Sequence, residues 1–249
     1  MLNSRRFVST VTVLTFLIIW EIAPRVGIVD AMYTSQPSRV VAAGLEIVST
    51  SGFLHDVFVS LSEFAIGFAL AIGIGVPLGL LLGRFSVLRY LLDPPIMALY
   101  ATPHLALLPI VVVWLGIGMQ SKIAVVFVGG FIPILVNSMA GVRSVESSWV
   151  LAARSFCAGE WEVFRKVILP ASIPSVILGI RLGVSRSVLG VVVGEMYQSQ
   201  AGVGNEIMRY GSEFRTDYLL FDVLLVSLFG FAAASVVRAL EARLWTAGR

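Results

Sequence analysis

The sequence predicts an all-α integral membrane protein with six transmembrane helices, on three observations. Of 249 residues, 57% are hydrophobic and only 13% charged, against about a quarter charged in soluble domains. Mean hydropathy is +0.92. The charges are also spaced so that stretches of about 20 residues, enough to cross some 30 Å of hydrocarbon, lie between them. This composition excludes soluble enzymes and disordered or collagen-like chains. Lys and Arg outnumber Asp and Glu by only 18 to 15, too few for a nucleic-acid partner. A single cysteine, Cys157, excludes an internal disulfide and a thiolate metal cluster, so no metal site is expected.

The first span, about 7–23, rests on Phe7 to Trp20, which reaches crossing length with Arg5, Arg6 and Glu21 at the interfaces. This opening also resembles a signal peptide. The weak Val29-Asp30-Ala31 is the nearest small-x-small site, and an uncleaved helix gives an even number of crossings. Uncharged runs of 20 residues after Glu63, 28 after Asp93, 20 after Lys122 and 15 after Asp222 place spans at about 60–83, 95–118, 122–142 and 218–239. The remaining span, 171–194, contains Arg181 and Arg186 but is otherwise Ile, Leu, Val, Gly and Ser. Residues 1–249 thus form one transmembrane domain. With the N-terminus inside, eleven basic residues face the cytoplasm and five the exterior, so both termini are expected inside. Between the first two spans, Val40, Val41, Gly44, Leu45 and Val48 form a helical stripe along the outer interface. Gly67, Gly73, Gly75 and Gly79, with Pro77, suit close packing of the second helix.

The stretch 143–170, between the fourth and fifth spans, carries seven charges yet keeps helical spacing in Leu151, Ala152, Ser155 and Phe156, then Val163, Phe164, Val167 and Ile168. Two short amphipathic helices are expected, capped by Ser147 and Ser148, bent at Gly159 and ended by Pro170. The run Leu151-Ala-Ala-Arg-Ser-Phe-Cys157-Ala-Gly-Glu-Trp-Glu-Val-Phe-Arg-Lys-Val167-Ile-Leu-Pro170 resembles the Glu-Ala-Ala motif of permease subunits in ATP-binding cassette importers. Asp93-Pro-Pro, Pro103-His-Leu-Ala-Leu-Leu-Pro109, Trp114-Leu-Gly-Ile-Gly118, Asn137 with Gly141-Val-Arg143, and Glu195-Met196 with Gly202-Val-Gly204 resemble the branch serving nitrate, sulfonates and taurine. Two positions depart from the motif: Leu151 replaces Glu and Cys157 replaces Gly. The bend is therefore expected to have migrated to Gly159, because glycine serves positive φ or close approach.

The resemblance implies a type I importer fold in the bacterial cytoplasmic (inner) membrane. The loop would be a coupling helix docked on a dimer of separate ATPases through Leu151, Ala152, Ala153, Phe156, Cys157, Gly159, Trp161, Leu169 and Pro170. The other implied partners are a second permease copy and an extracytoplasmic solute-binding protein. ATP and Mg²⁺ would belong to the ATPase. The chain lacks the Gly-x4-Gly-Lys-Ser/Thr loop that cradles phosphates, so no cofactor and no catalysis of its own are expected. Polar groups that lipid rejects are assigned to the translocation path: Arg181, Ser185, Glu195 and Asn137. Arg186 lies about 140° around the helix from Arg181, whereas Glu195 is within about 40° of Arg181's face, some 21 Å along. The function expected is import of a small organic or inorganic anion such as a sulfonate, taurine or nitrate. A neutral heteroaromatic solute or vitamin precursor is the alternative, and an ion-coupled carrier using Glu63, Arg181, Arg186 and Glu195 a further one. A carrier has no need of the 143–170 loop, and a membrane enzyme would need a nucleophile or metal constellation that two histidines and one cysteine do not supply.

Overall fold

The computed structural model describes the backbone of residues 2–247, and their side chains outside 2–6, 198, 240 and 243–247. Arg5, Arg6, Arg243 and Arg249, which enter the charge count, lie outside the described side chains. The described residues form α1 (Leu2–Arg25), α2 (Ala31–Thr34), α3 (Pro37–Ser49), α4 (Phe53–Arg84) and α5 (Ser86–Ala101). A 3₁₀ turn, His104–Leu107, leads into α6 (Leu108–Leu115) and α7 (Met119–Arg143). Then come α8 (Ser147–Ser155), α9 (Glu160–Val163), a π turn over Phe164–Ile168, α10 (Leu169–Gln198), α11 (Val203–Ser212) and α12 (Thr216–Ala247).

Five of these helices are long and apolar enough to cross a membrane, and a bent pair raises the number to six. The third span is not the single helix expected over 95–118. It is α5 and α6, bent by 93°. Thr102 precedes Pro103 and is extended, at φ −75° and ψ 131°, because the proline ring excludes the helical conformation there. Pro109 then sits in the first turn of α6, where its missing N–H costs nothing.

α7 is the central helix, packed along α4 on one side and α10 on the other. The contact stripe on α4 repeats every fourth residue: Gly67, Ala71, Gly75 and Gly79 are buried. A Cβ at Gly79 would lie 2.6 Å from the Leu135 carbonyl oxygen of α7, so the backbones approach as closely as small-xxx-small interfaces allow. Gly73, expected in this stripe, faces open space instead, since it falls off the four-residue repeat. On α3 the buried stripe is Val40, Ala43, Gly44 and Ile47, whereas Val41, Leu45 and Val48 of the expected stripe are exposed. Gly44 lies against the Phe221 ring of α12. Polar ties strap α2 and α3 to their neighbours. Glu21 of α1 accepts from the Ser38 amide at 2.9 Å and the Ser38 hydroxyl at 2.7 Å. Thr216 Oγ1 of α12 donates to the Met32 carbonyl at 2.5 Å.

Candidate functional site

The loop between α7 and α10 corrects three expectations. The residue capping α8 is Glu146, not a serine; Ser148 Oγ instead donates to Glu146 Oε2 at 3.1 Å. Pro170 does not end the second helix, which runs on through the π turn into α10. There the Leu169 amide bonds to the Phe164 carbonyl five residues back, and such a widened turn accommodates the proline ring. The bend has also stayed at Cys157, whose φ is +58°, while Gly159 is extended at φ −68° and ψ 161°. The Cys157 amide donates to the Arg154 carbonyl at 2.9 Å and the Ala158 amide to the Ala153 carbonyl at 3.2 Å. This paired 5→2 and 6→1 closure is a Schellman cap with Cys157 at its left-handed position, where glycine is the usual occupant.

The cap divides the loop into an inner and an outer face. Inside, Val142, Val163 and Ile168 form a core, with Val150, Ala153, Ala158 and Phe164 packed against it. Ala153, expected in the docking set, packs against this core and also borders the first of the two hollows beside the ridge, and Leu169 is half-buried. Outside, Leu151 is 63%, Phe156 86% and Trp161 70% exposed, and Trp149, which the sequence reading missed, 53%. Ala152, Cys157, Gly159 and Pro170 are exposed as well. Two hollows flank this ridge. One, about 540 Å³, lies among Trp149, Phe156, Lys166 and Pro170; the other, about 630 Å³, lies among Pro77, Arg84, Trp161 and Phe164. Glu160 fixes the ridge to the membrane bundle by pairing with Arg84 at the end of α4, and also with Arg154 at 2.5 Å. Four large apolar side chains are thus held out on a charge-pinned frame, an exposed apolar patch larger than scattered surface residues make.

At the other end of the bundle lies a buried polar knot that the sequence did not reveal. Lys122, which in the sequence marks the outer edge of the span at 122–142, is buried and paired with the fully buried Glu63 of α4. Its Nζ also donates to Ser199 Oγ at 3.0 Å. Glu195, 1% exposed, accepts from Ser60 Oγ at 2.6 Å and from the Gly204 amide at 2.7 Å. The Gly202 amide donates to Asp56 Oδ1 at 2.7 Å, and the Val203 amide to Ser60 Oγ at 2.9 Å. Asp56, Ser60 and Glu63 recur at i, i+4 and i+7, one face of α4, a spacing that was legible. Held in this way, Glu195 pins α11 to the bundle, and it also borders a cavity of about 230 Å³ with Ser60 and Val203.

Arg181 and Glu195 do not meet. Arg181, expected on the translocation path, pairs instead with Glu241 of α12. Asn137 donates to the Pro133 carbonyl of its own helix at 2.8 Å and packs where α7 crosses Gly179 of α10. Ser185 and Arg186 lie on the exposed side of α10. Arg186 borders a cavity of about 220 Å³ shared with Tyr100, Thr102, His104, Gly129 and Pro133.

A bundle of membrane-length helices with an apolar ridge at one end, charged groups kept inside and a polar groove along one side defines a transmembrane transport subunit. The chain belongs to the family of binding-protein-dependent transport system inner membrane components, whose profile matches residues 75–246. It is 32% identical over 226 residues to a putative aliphatic sulfonates transport permease of Bacillus subtilis, covering 91% of this chain and 82% of that one. The taurine transport system permease of Escherichia coli is 29% identical, with 94% and 86% covered. A formylaminopyrimidine transport permease of Halalkalibacterium halodurans is 28% identical, with 93% and 92% covered. Among solved structures, the inward-facing MetNI methionine ABC transporter matches with a TM-score of 0.60 at 22% identity, covering 75% of this chain and 94% of that one. The fold is that of an importer permease of this type.

Proposed function

We propose that this permease carries a small anion, of the sulfonate or taurine kind, into the cytoplasm. In this reading a solute-binding protein delivers the anion outside, and a separate ATPase pair that holds ATP and Mg²⁺ drives the cycle. The sulfonate and taurine relatives, each matched over more than nine-tenths of this chain, support that substrate class. The exposed ridge of Trp149, Leu151, Phe156 and Trp161 is the observation that carries the coupling role. A two-copy assembly supplies a path that six helices cannot enclose alone, and both termini and the ridge face the cytoplasm.

The mechanism follows from stiffness. Seated in a cleft of an ATPase, the ridge moves as that cleft closes and opens. Glu160, tied to both Arg154 and Arg84, passes the displacement to α4, and the unbroken run from Glu160 into α10 passes it to the fifth span. Rigid elements biased between two arrangements then alternate access. A second reading, a neutral heteroaromatic solute, rests on the formylaminopyrimidine relative.

Cys157 is exposed and is the sole cysteine of the chain, so a membrane-impermeant maleimide tests orientation and docking in the unmodified protein. The expected result is labelling in inside-out vesicles, none in intact cells, and protection once the ATPase is bound. Labelling of intact cells would overturn the orientation, and labelling unaffected by bound ATPase would overturn the docking site. For the solute, ATP-dependent uptake of labelled taurine and alkanesulfonates into proteoliposomes is expected; uptake of formylaminopyrimidine alone would favour the second reading.

A further inference from the structure

We infer that the groove between the α5–α6 bend, α7 and α10 holds the anionic head of the solute during passage, with Arg186 as its counter-charge. The inference deepens the proposed function and rests on it. Arg186 lies well inside α10, 16 residues beyond Pro170 and 12 before Gln198, and its turn crosses α7 at Gly129, where a Cβ would come 3.0 Å from the Arg186 carbonyl oxygen. Gly129 itself lies mid-length in α7. A guanidinium at such depth does not face lipid chains; it faces water, an anion or a carboxylate. Among the described residues the other membrane-embedded basic groups are satisfied by carboxylates, Lys122 by Glu63 and Arg181 by Glu241, whereas no carboxylate oxygen lies within 4.0 Å of Arg186.

The surroundings fit one anionic group. The cavity, about 220 Å³, takes a small headgroup and little more. Tyr100 and His104 border it beside Arg186. The His104 Nε2 is buried without a hydrogen-bond partner, and a Cβ at Gly129 would lie 3.3 Å from it, so glycine there is what leaves the ring its place. Thr102 commits its hydroxyl proton to the Ala98 carbonyl at 2.8 Å and adds no donor. The 93° break between α5 and α6 lies at this cavity, with Tyr100 before it and His104 after it in the lining. Leu182, one turn before Arg186, also lines it and is 47% exposed, so the solute passes along the Leu182 and Arg186 face of α10, away from Arg181.

The test is ATP-dependent uptake of ³⁵S-labelled taurine and ethanesulfonate by proteoliposomes holding the full complex, normalised to assembled permease. Arg186→Gln is expected to lower uptake about tenfold or more, the scale of one lost charge-assisted hydrogen bond. Arg186→Lys should keep part of it. Membrane abundance and ATPase binding should stay at wild-type levels, because no carboxylate is stranded. Leu182→Glu, which supplies a competing carboxylate one turn away, should also abolish uptake, and should lower it much further than the near-isosteric, uncharged Leu182→Gln does. Wild-type uptake by either Arg186→Gln or Leu182→Glu would overturn the site. So would an Arg186→Gln variant that fails to assemble, since that would make Arg186 a structural contact with the second copy. If the wild-type complex moves a neutral solute but neither anion, the anion reading itself fails, a result distinct from anion transport that ignores Arg186.

Discussion

The Ala158 amide reaches back over Cys157 to the Ala153 carbonyl at 3.2 Å, and this single closure decides which way the apolar ridge faces. It requires left-handed backbone at Cys157, where φ is +58°, a conformation that costs a side-chain-bearing residue about 1 kcal/mol relative to glycine. Cys157→Gly should therefore raise the stability of the assembled complex by about 1 kcal/mol without loss of uptake, and Cys157→Val should lower it. Gly159→Val, by contrast, should be close to neutral, because Gly159 is extended and an added Cβ meets nothing within 4 Å. Thermal unfolding in detergent reads all three. A destabilised Cys157→Gly protein, or a Gly159→Val protein that cannot fold, would remove the cap from the argument.

The Glu63 and Lys122 pair should behave as buried ion pairs do. With side chains 0% and 9% exposed, Lys122→Met alone strands a carboxylate and should cost about 3–5 kcal/mol, seen as low membrane abundance. Glu63→Gln with Lys122→Met should recover most of it. A double variant no better than either single one would show that the two residues do not act as a pair.

Gly202 is held at φ +110°, and a Cβ there would sit 2.2 Å from Glu195 Oε1. Gly202→Ala should therefore release α11 from the bundle and depress abundance. Pairing it with Glu195→Ala should give only partial recovery, because the clash goes but the backbone strain stays. Limited proteolysis in the 199–215 segment is the direct measurement, and wild-type resistance in Gly202→Ala would refute this account of the knot.

Arg181 should prove structural. Its guanidinium and the Glu241 carboxylate keep 35% and 29% of their side-chain surface open, so stranding the carboxylate should cost less than it does in the fully enclosed Glu63 and Lys122 pair. Arg181→Gln is expected to reduce abundance slightly, with Glu241→Gln restoring it, and to leave uptake per assembled complex unchanged. A tenfold fall in uptake per complex would return Arg181 to the translocation path.

What the sequence determined by itself was the environment and the punctuation. Composition and the spacing of charges established a membrane protein of six apolar stretches, because crossing hydrocarbon demands length and few charges whatever the packing. The resemblance of Leu151 to Pro170 and its companion motifs placed the family and the loop. Distances across the bundle were not legible. Lys122 read as a boundary charge and became the buried partner of Glu63, and a 28-residue apolar run concealed the α5–α6 break, although Pro103 marked it. Helical angles placed Arg181 and Glu195 on one face and could not show that α12 supplies Glu241 to the first, or that the Gly202 to Gly204 turn closes on the second. Gly159 was the wrong glycine because positive φ follows from the hydrogen bonds that end α8, not from residue type. Periodicity fixes which face of a helix is apolar; which charges meet is decided only when α4, α7 and α10 pack, because desolvation makes each buried charge depend on a partner remote in sequence.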